Sequence, residues 1–394
     1  MSENMSRYLT FVVVIGSVCL LTYSLHVENK PFFATSIAAT FLIHMWTRPG
    51  RKDALLAIGI GLFLLAAYAL SWPAATRSLS TCVETGIAGL GLGSLSVTGA
   101  QAIWREGTAR REKLAVFLPS IVMAVSSIIG ALALLLTSYL HPKTYDLFLY
   151  AFDDSLGFQP SFLMGRVFDA YPALAFAAGL VYAAVPLAIA LLYAIQITSP
   201  RRAPVDILFV FFGAGIVGLC VYHLYPATGP IFAFSAAFPL NPPAVNSRSL
   251  ELIDVPSEPP RNAMPSVHSA WALLVWWNSR RRPAWVRAAA ALFLALTLLA
   301  TLGMGEHYLI DLVVAVPFTV ALQAAFTTRF PLSQAARSRP LAISALTVLV
   351  WLILLRTALP LFHSSPLLPW GAMLITLLVS WRLDKMLWRA TAES

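Results

Sequence analysis

Two stretches of this 394-residue chain gather the side-chain types that chemistry needs. The first runs Arg261-Asn262-Ala263-Met264-Pro265-Ser266-Val267-His268-Ser269. The second runs Gly303-Met304-Gly305-Glu306-His307-Tyr308-Leu309-Ile310-Asp311. His307 and Asp311 are four apart, so on a helix they share a face. A carboxylate that accepts from one imidazole nitrogen fixes the tautomer and leaves the other nitrogen to attack. His268 is then a candidate acid for a departing alkoxide, help worth roughly 10²–10⁴-fold. Arg261 brings a fixed positive charge whose fork suits phosphate; Arg248 is a second such cation, and Arg166 a more distant one. Ser266 is a candidate cap or phosphate hydrogen-bond donor, and His223 a candidate pocket residue. Nucleophile, orienter, acid and cation together describe a phosphoryl-transfer site.

The elements that position these residues are membrane spans. Hydrophobic residues make up 58% of the chain and charged residues 11%, with a mean hydropathy of +0.75. Too few charges remain to cover a soluble surface, and a disordered chain would be far less apolar. With about 20 apolar residues needed per crossing, twelve candidate spans emerge. They are 8–25, 32–47, 54–71, 80–100, 115–140, 172–196, 206–225, 265–279, 286–304, 307–328, 341–358 and 367–384. Cytoplasmic termini would leave only Lys30, Arg77, Lys143, Arg166, Arg248, Arg261 and Arg356 outside, with the other twenty of the 27 Lys and Arg inside. The formal charge of +9 therefore reads as loop anchoring and calls for no nucleic-acid partner. Cys19, Cys82 and Cys220 are an odd set in apolar surroundings and suggest no disulfide framework.

Two spans separate His268 from His307, so both imidazoles face the same, outer side, each in the first turn of its helix. Pro265 suits a first helical position. Free amides and the positive dipole ends of both helices favour an anion between them. Two outer connections are long. Residues 141–171 are amphipathic and aromatic, which suits a helix lying in the membrane interface. Residues 226–264 carry eight prolines, and loops of that length are commonly functional.

At the quoted residues the sequence resembles the type 2 phosphatidic acid phosphatase superfamily. Pro265-Ser266-Val267-His268 matches its Pro-Ser-x-His motif, with Val267 at the usual glycine, and His307-Tyr308-Leu309-Ile310-Asp311 its His-x-x-x-Asp motif. The wording around both looks closest to the sphingolipid-synthase branch, which includes inositol phosphorylceramide synthases. The resemblance implies a six-helix catalytic core, a phosphohistidine at His307 supported by Asp311, and His268 as acid. The chain lacks a Lys-x6-Arg-Pro motif, and Ala300-Thr301 replaces the usual Ser-Arg pair. Arg261 and Arg248 are the available substitutes.

The expectation is an all-α polytopic membrane enzyme with about twelve spans. Residues 115–328 form the core, flanked by a four-span region (1–114) and a two-span region (329–394). It works without metal or other cofactor at the outer face of a bacterial-type inner membrane, on a phospholipid or polyprenyl phosphate. Water or an alcohol is the acceptor. The rivals are a multi-span transporter, which would show halves related by symmetry, and a non-catalytic lipid-binding protein. Other features have plainer readings. Gly213-Ala214-Gly215-Ile216-Val217-Gly218 fits a dinucleotide fingerprint but has no strand before it, so helix packing accounts for it, as it does for Gly89 and Gly93. Asp153 and Asp154 read as loop or capping residues.

Overall fold

A computed structural model describes residues 31–71, 79–199, 203–247 and 249–393, with Gly16 besides. It is overwhelmingly helical. Among the described residues seven helices are long and apolar enough to cross a membrane, or eight if one broken pair counts as a single span. The predicted span 8–25 lies outside the described residues apart from Gly16. The other predicted spans fall on helices, several of them shorter than a bilayer requires.

The chain divides into two compact units. The first comprises residues 1–131 and 183–202. It holds α1 (Pro31–Trp46), α2 (Arg51–Ser71), α3 (Leu79–Trp104), most of α4 (Gly107–Leu140) and α8 (Val185–Thr198). These helices approach closely because glycine removes the side chain at the crossings. A Cβ on Gly93 would lie 2.0 Å from the Ala57 carbonyl, and Gly89 meets the Gly61 carbonyl in the same way. α8 belongs here through α1, where Thr35 Oγ1 donates to the Ala183 carbonyl at 2.7 Å.

The second unit, 132–182 and 203–394, contains both motifs. Its long helices are α9 (Ile207–Leu224), α12 (Ala284–Gly303), α13 (Leu309–Phe326), α14 (Ala335–Thr357) and α16 (Leu367–Glu393). α11 (Val267–Asn278) has 12 residues, about 18 Å at 1.5 Å per residue. That falls short of the roughly 30 Å hydrocarbon layer, so the segment 265–279 is no full crossing by itself. The fingerprint-like glycines of α9 serve packing, as expected. A Cβ on Gly213 would strike the Phe326 ring at 2.3 Å, and one on Gly218 would strike Val267 at 2.5 Å.

The predicted continuous span 172–196 is broken into α7 (Pro172–Ala183) and α8. Pro186 has no N–H for the Tyr182 carbonyl four residues earlier, and its ring crowds that carbonyl. The break comes directly after Ala183, the last residue of α7.

Both long connections are structured. The first forms β1 (Lys143–Thr144), α5 (Asp146–Asp154) and α6 (Pro160–Ala170); the second forms α10 (Pro230–Ala233) and β2 (Ile253–Asp254). The strands pair antiparallel, Lys143 with Asp254 and Thr144 with Ile253. The expected interfacial helix is instead packed inside the protein. α5 buries Asp146, Leu149, Tyr150, Ala151, Phe152 and Asp153. Tyr150 meets Phe162 and Phe234, and Phe152 meets Trp351 and Phe362, all at edge or tilted ring contacts of 4.7–5.8 Å. Its apolar face found protein in place of lipid. α15 (Leu359–Phe362) closes this layer.

Candidate active site

Two hydrogen bonds join the motifs. The Ser266 amide donates to the Asp311 carbonyl at 3.3 Å. His307 Nδ1 lies 2.9 Å from the Ala263 carbonyl. A carbonyl oxygen can only accept, so Nδ1 carries the proton and the lone pair belongs to Nε2. His307 is 1% exposed. The tautomer with its lone pair on Nε2 is the form a nucleophile needs.

Asp311 has a different first task from the one its spacing suggests. Its Oδ2 accepts the Tyr308 amide at 2.8 Å and lies 3.4 Å from His307 Nδ1. It caps α13 foremost and shares the imidazole proton only secondarily, because the Ala263 carbonyl is nearer. Nor is the start of α13 open to an outside anion. Asp153 already takes the Leu309 amide at 2.7 Å and the Ile310 amide at 3.3 Å. The capping reading of Asp153 holds, but across 156 residues of chain rather than within its own loop. Replacing Asp153 with alanine should cost ~2 kcal/mol of stability, the range of a lost cap and buried amides left without an acceptor. A thermal melt of the purified variant measures it, and activity should fall in step because Leu309 lies two residues from His307.

Ser266 acts as the cap of α11. Its Oγ accepts the Ser269 amide at 3.3 Å and lies 2.9 Å from Ser269 Oγ. Pro265 therefore stands before the cap, not at the first helical position. His268 follows in the first turn. Its ring stacks on Tyr182 at 3.9 Å and 15°, and its Nδ1 lies 3.0 Å from Tyr182 Oη. Trp271 meets the imidazole edge-on at 5.2 Å.

Arg261 is placed unlike a substrate clamp. It is fully buried, the largest such side chain among the described residues. Its guanidinium donates to four backbone carbonyls: His141 at 2.8 Å, Pro256 at 3.0 Å, Pro259 at 2.9 Å and Val255 at 2.9 Å. It ties the proline-rich loop to the end of α4. His223 joins the same corner, its Nδ1 2.9 Å from His141 Nε2. Arg166 is exposed on α6. Arg248 lies outside the described residues.

The sequence reading passed over several groups that shape the site. Asp146 is 0% exposed. It accepts the Thr228 amide (3.1 Å), Thr228 Oγ1 (3.2 Å), the Gly229 amide (2.9 Å) and Tyr308 Oη (2.8 Å). Burial pushes its carboxyl above the usual range, and these donors oppose the shift. Ser161 Oγ donates to the His307 carbonyl at 2.7 Å. Asp146 and Ser161 carry no motif; only their polarity inside an aromatic stretch set them apart. Gly229 is needed for its backbone: φ is +100°, and a Cβ there would lie 2.3 Å from the Glu306 carbonyl. Gly229→Ala should therefore cost about 2–5 kcal/mol, from a glycine-only conformation plus overpacking. A drop in the melting midpoint would show it. Among the described residues no group of three His, Cys, Asp or Glu is arranged to hold a metal.

Compared with known proteins, residues 147–325 match the family model described as PAP2 superfamily. That stretch contains both histidine motifs and the α5–α6 layer but not Asp146 itself. No curated protein and no solved structure matches the chain.

Proposed function

We propose that this protein is a membrane-embedded enzyme that transfers the phosphoryl-containing group of a phospholipid or polyprenyl phosphate through His307. The observation that carries the reading is the Ala263 carbonyl on His307 Nδ1, which gives Nε2 the lone pair. That carbonyl stands two residues before the Pro-Ser-x-His motif, so the two motifs hold one another in place.

In the first step the His307 Nε2–P bond forms as the P–O bond to the leaving group breaks, and His268 gives its proton to the departing oxygen. In the second, water or an alcohol takes the phosphoryl group and its proton passes to His268. Water makes the enzyme a phosphatase; an alcohol makes it a transferase. The similarity of the motif wording to inositol phosphorylceramide synthases supports transfer, while the broader superfamily match supports hydrolysis. Arg248, on the same outer loop as Arg261, is the cation proposed to meet the phosphate, with Ser266 and His223 as polar neighbours of the pocket. The reading includes about twelve spans, a six-helix core in 115–328 and an active site on the outer face of a bacterial-type inner membrane. It rests there on the distribution of Lys and Arg. The chemistry asks for no metal.

The test is incubation of the purified protein with labelled phosphatidic acid and labelled polyprenyl phosphate, with and without alcohol acceptors. Free phosphate without acceptor identifies a hydrolase, and a labelled product only with acceptor identifies a transferase. Lipid phosphates that all come through unchanged would overturn the proposal.

A further inference from the structure

The geometry points to the aromatic face of Tyr182, and not its hydroxyl, as the positioning element of the acid: a π surface that sets the plane of the His268 imidazole and favours its cationic form. This rests on the phosphotransfer reading above. No motif singles out Tyr182, which stands one residue before the end of α7. Its ring lies over the imidazole with centroids 3.9 Å apart and 15° between the planes. That arrangement puts Tyr182 Oη, 3.0 Å from Nδ1, above the imidazole plane. An imidazole N–H points within its own plane, so the contact is between faces and the hydroxyl takes no proton from the ring. Trp271, three residues on along α11, meets the imidazole from the edge at 5.2 Å and 73°. It is itself fixed by a hydrogen bond from Nε1 to the Phe211 carbonyl at 3.0 Å. Tyr182 thus restrains the tilt of the imidazole and Trp271 its rotation.

What the stack contributes depends on the charge of the imidazole. Two neutral aromatic rings avoid a face-to-face sandwich, because their negative faces repel, and settle edge-on or offset with centroids about 4.5–7 Å apart. A cation is drawn to the same face from within about 6 Å of its centre. Near-parallel rings with centroids at 3.9 Å therefore suit the imidazolium better than the neutral imidazole. The imidazolium is also the form able to protonate an alkoxide. The stack holds that proton on His268 until the P–O bond breaks and the leaving oxygen takes it. The neutral ring left behind sits less favourably on the phenol face, which helps it recover a proton from the acceptor in the second step. The titratable groups facing this pair are Glu306 and His307 from the α12–α13 turn and Tyr222 from α9.

Tyr182→Phe keeps the ring and loses only the hydroxyl; Tyr182→Leu loses the aromatic face. With a short-chain phosphatidic acid in detergent micelles as probe, Tyr182→Phe should retain the wild-type kcat. Tyr182→Leu should lose ~10–100-fold in kcat, part of the value of general acid catalysis, with KM unchanged. Without the face the imidazolium gives up its proton more readily, so the high-pH limb of the rate profile should move down by roughly 0.5–1.5 pH units, the worth of a cation–π contact. A side chain that merely filled space would lower the melting point and leave the limb in place. A second measurement needs only the wild type and Tyr182→Phe. In spectra of the histidine-labelled full-length protein, the His268 ring-proton resonances, identified by their loss in His268→Ala, should be displaced upfield by the Tyr182 ring current in both. Undisplaced resonances overturn the assignment, as does a Tyr182→Phe enzyme as impaired as Tyr182→Leu, or a Tyr182→Leu limb at the wild-type pH. If His268→Ala is inactive in any of these cases, the phosphotransfer reading survives that failure. If His268→Ala keeps wild-type activity, both fall.

Discussion

On the proposed phosphohistidine route, His307→Ala should lose turnover of the lipid phosphate by at least ~10³-fold, because it deletes the atom assigned to form the bond to phosphorus. No neighbouring group is placed to substitute. Ser266 Oγ is engaged as a helix cap, and Asp311 is committed to the Tyr308 amide. Since His307 is buried and bonded, loss of activity in the alanine variant needs a control for folding. His307→Gln supplies it: the glutamine amide can keep a donor for the Ala263 carbonyl but has no nucleophilic nitrogen. It should melt near the wild type and remain inactive. His268→Ala should fall by roughly 10²–10⁴, the range for an acid whose removal leaves the nucleophile in place. Brief exposure of the wild type to labelled lipid phosphate, followed by a denaturing quench, should trap an acid-labile, base-stable phosphoenzyme that His307→Gln cannot form. A His307→Gln enzyme that turns over normally would remove His307 from the reaction.

The two imidazoles, their order and their spacing were legible in the sequence because catalytic residue types are rare in apolar helices and so stand out. The partners of those residues were not. A sequence shows that Asp311 is four residues from His307; it does not show that a carbonyl from a loop 44 residues away lies nearer the same nitrogen. In the same way the free amides at the start of α13 suggested an anion site, and the group that accepts from them is the Asp153 carboxyl of α5. The aromatic stretch around Tyr150 was read as lipid-facing, since lipid and protein interiors are equally apolar and a single sequence does not separate them. Glycine fared better: Gly89, Gly93, Gly213 and Gly218 were assigned to close packing, and each meets a neighbour where a Cβ would not fit.

Arg261 is the position where the sequence and the structure give opposite experimental outcomes. A substrate-binding arginine replaced by lysine would raise KM and leave the melting point alone. The buried arginine described here should behave otherwise. Prolines lack an N–H, so the loop from 255 to 260, with prolines at 256, 259 and 260, has more carbonyls than it can pair by itself. Arg261 supplies the missing donors, four of its N–H groups reaching four carbonyls. Lysine carries three donors on one nitrogen and cannot span that set. Arg261→Lys and Arg261→Met should therefore destabilise the protein by roughly 3–6 kcal/mol, several buried carbonyls being left unpaired at about 1–3 kcal/mol each and not fully additive. Methionine should be the worse of the two. The cost should reach catalysis as well, because the loop continues directly into Ala263, whose carbonyl holds His307. Loss of kcat together with a lowered melting midpoint, and a KM near the wild-type value, is the expected pattern. An Arg261→Lys enzyme with an unchanged melting midpoint and a raised KM would return this residue to the substrate.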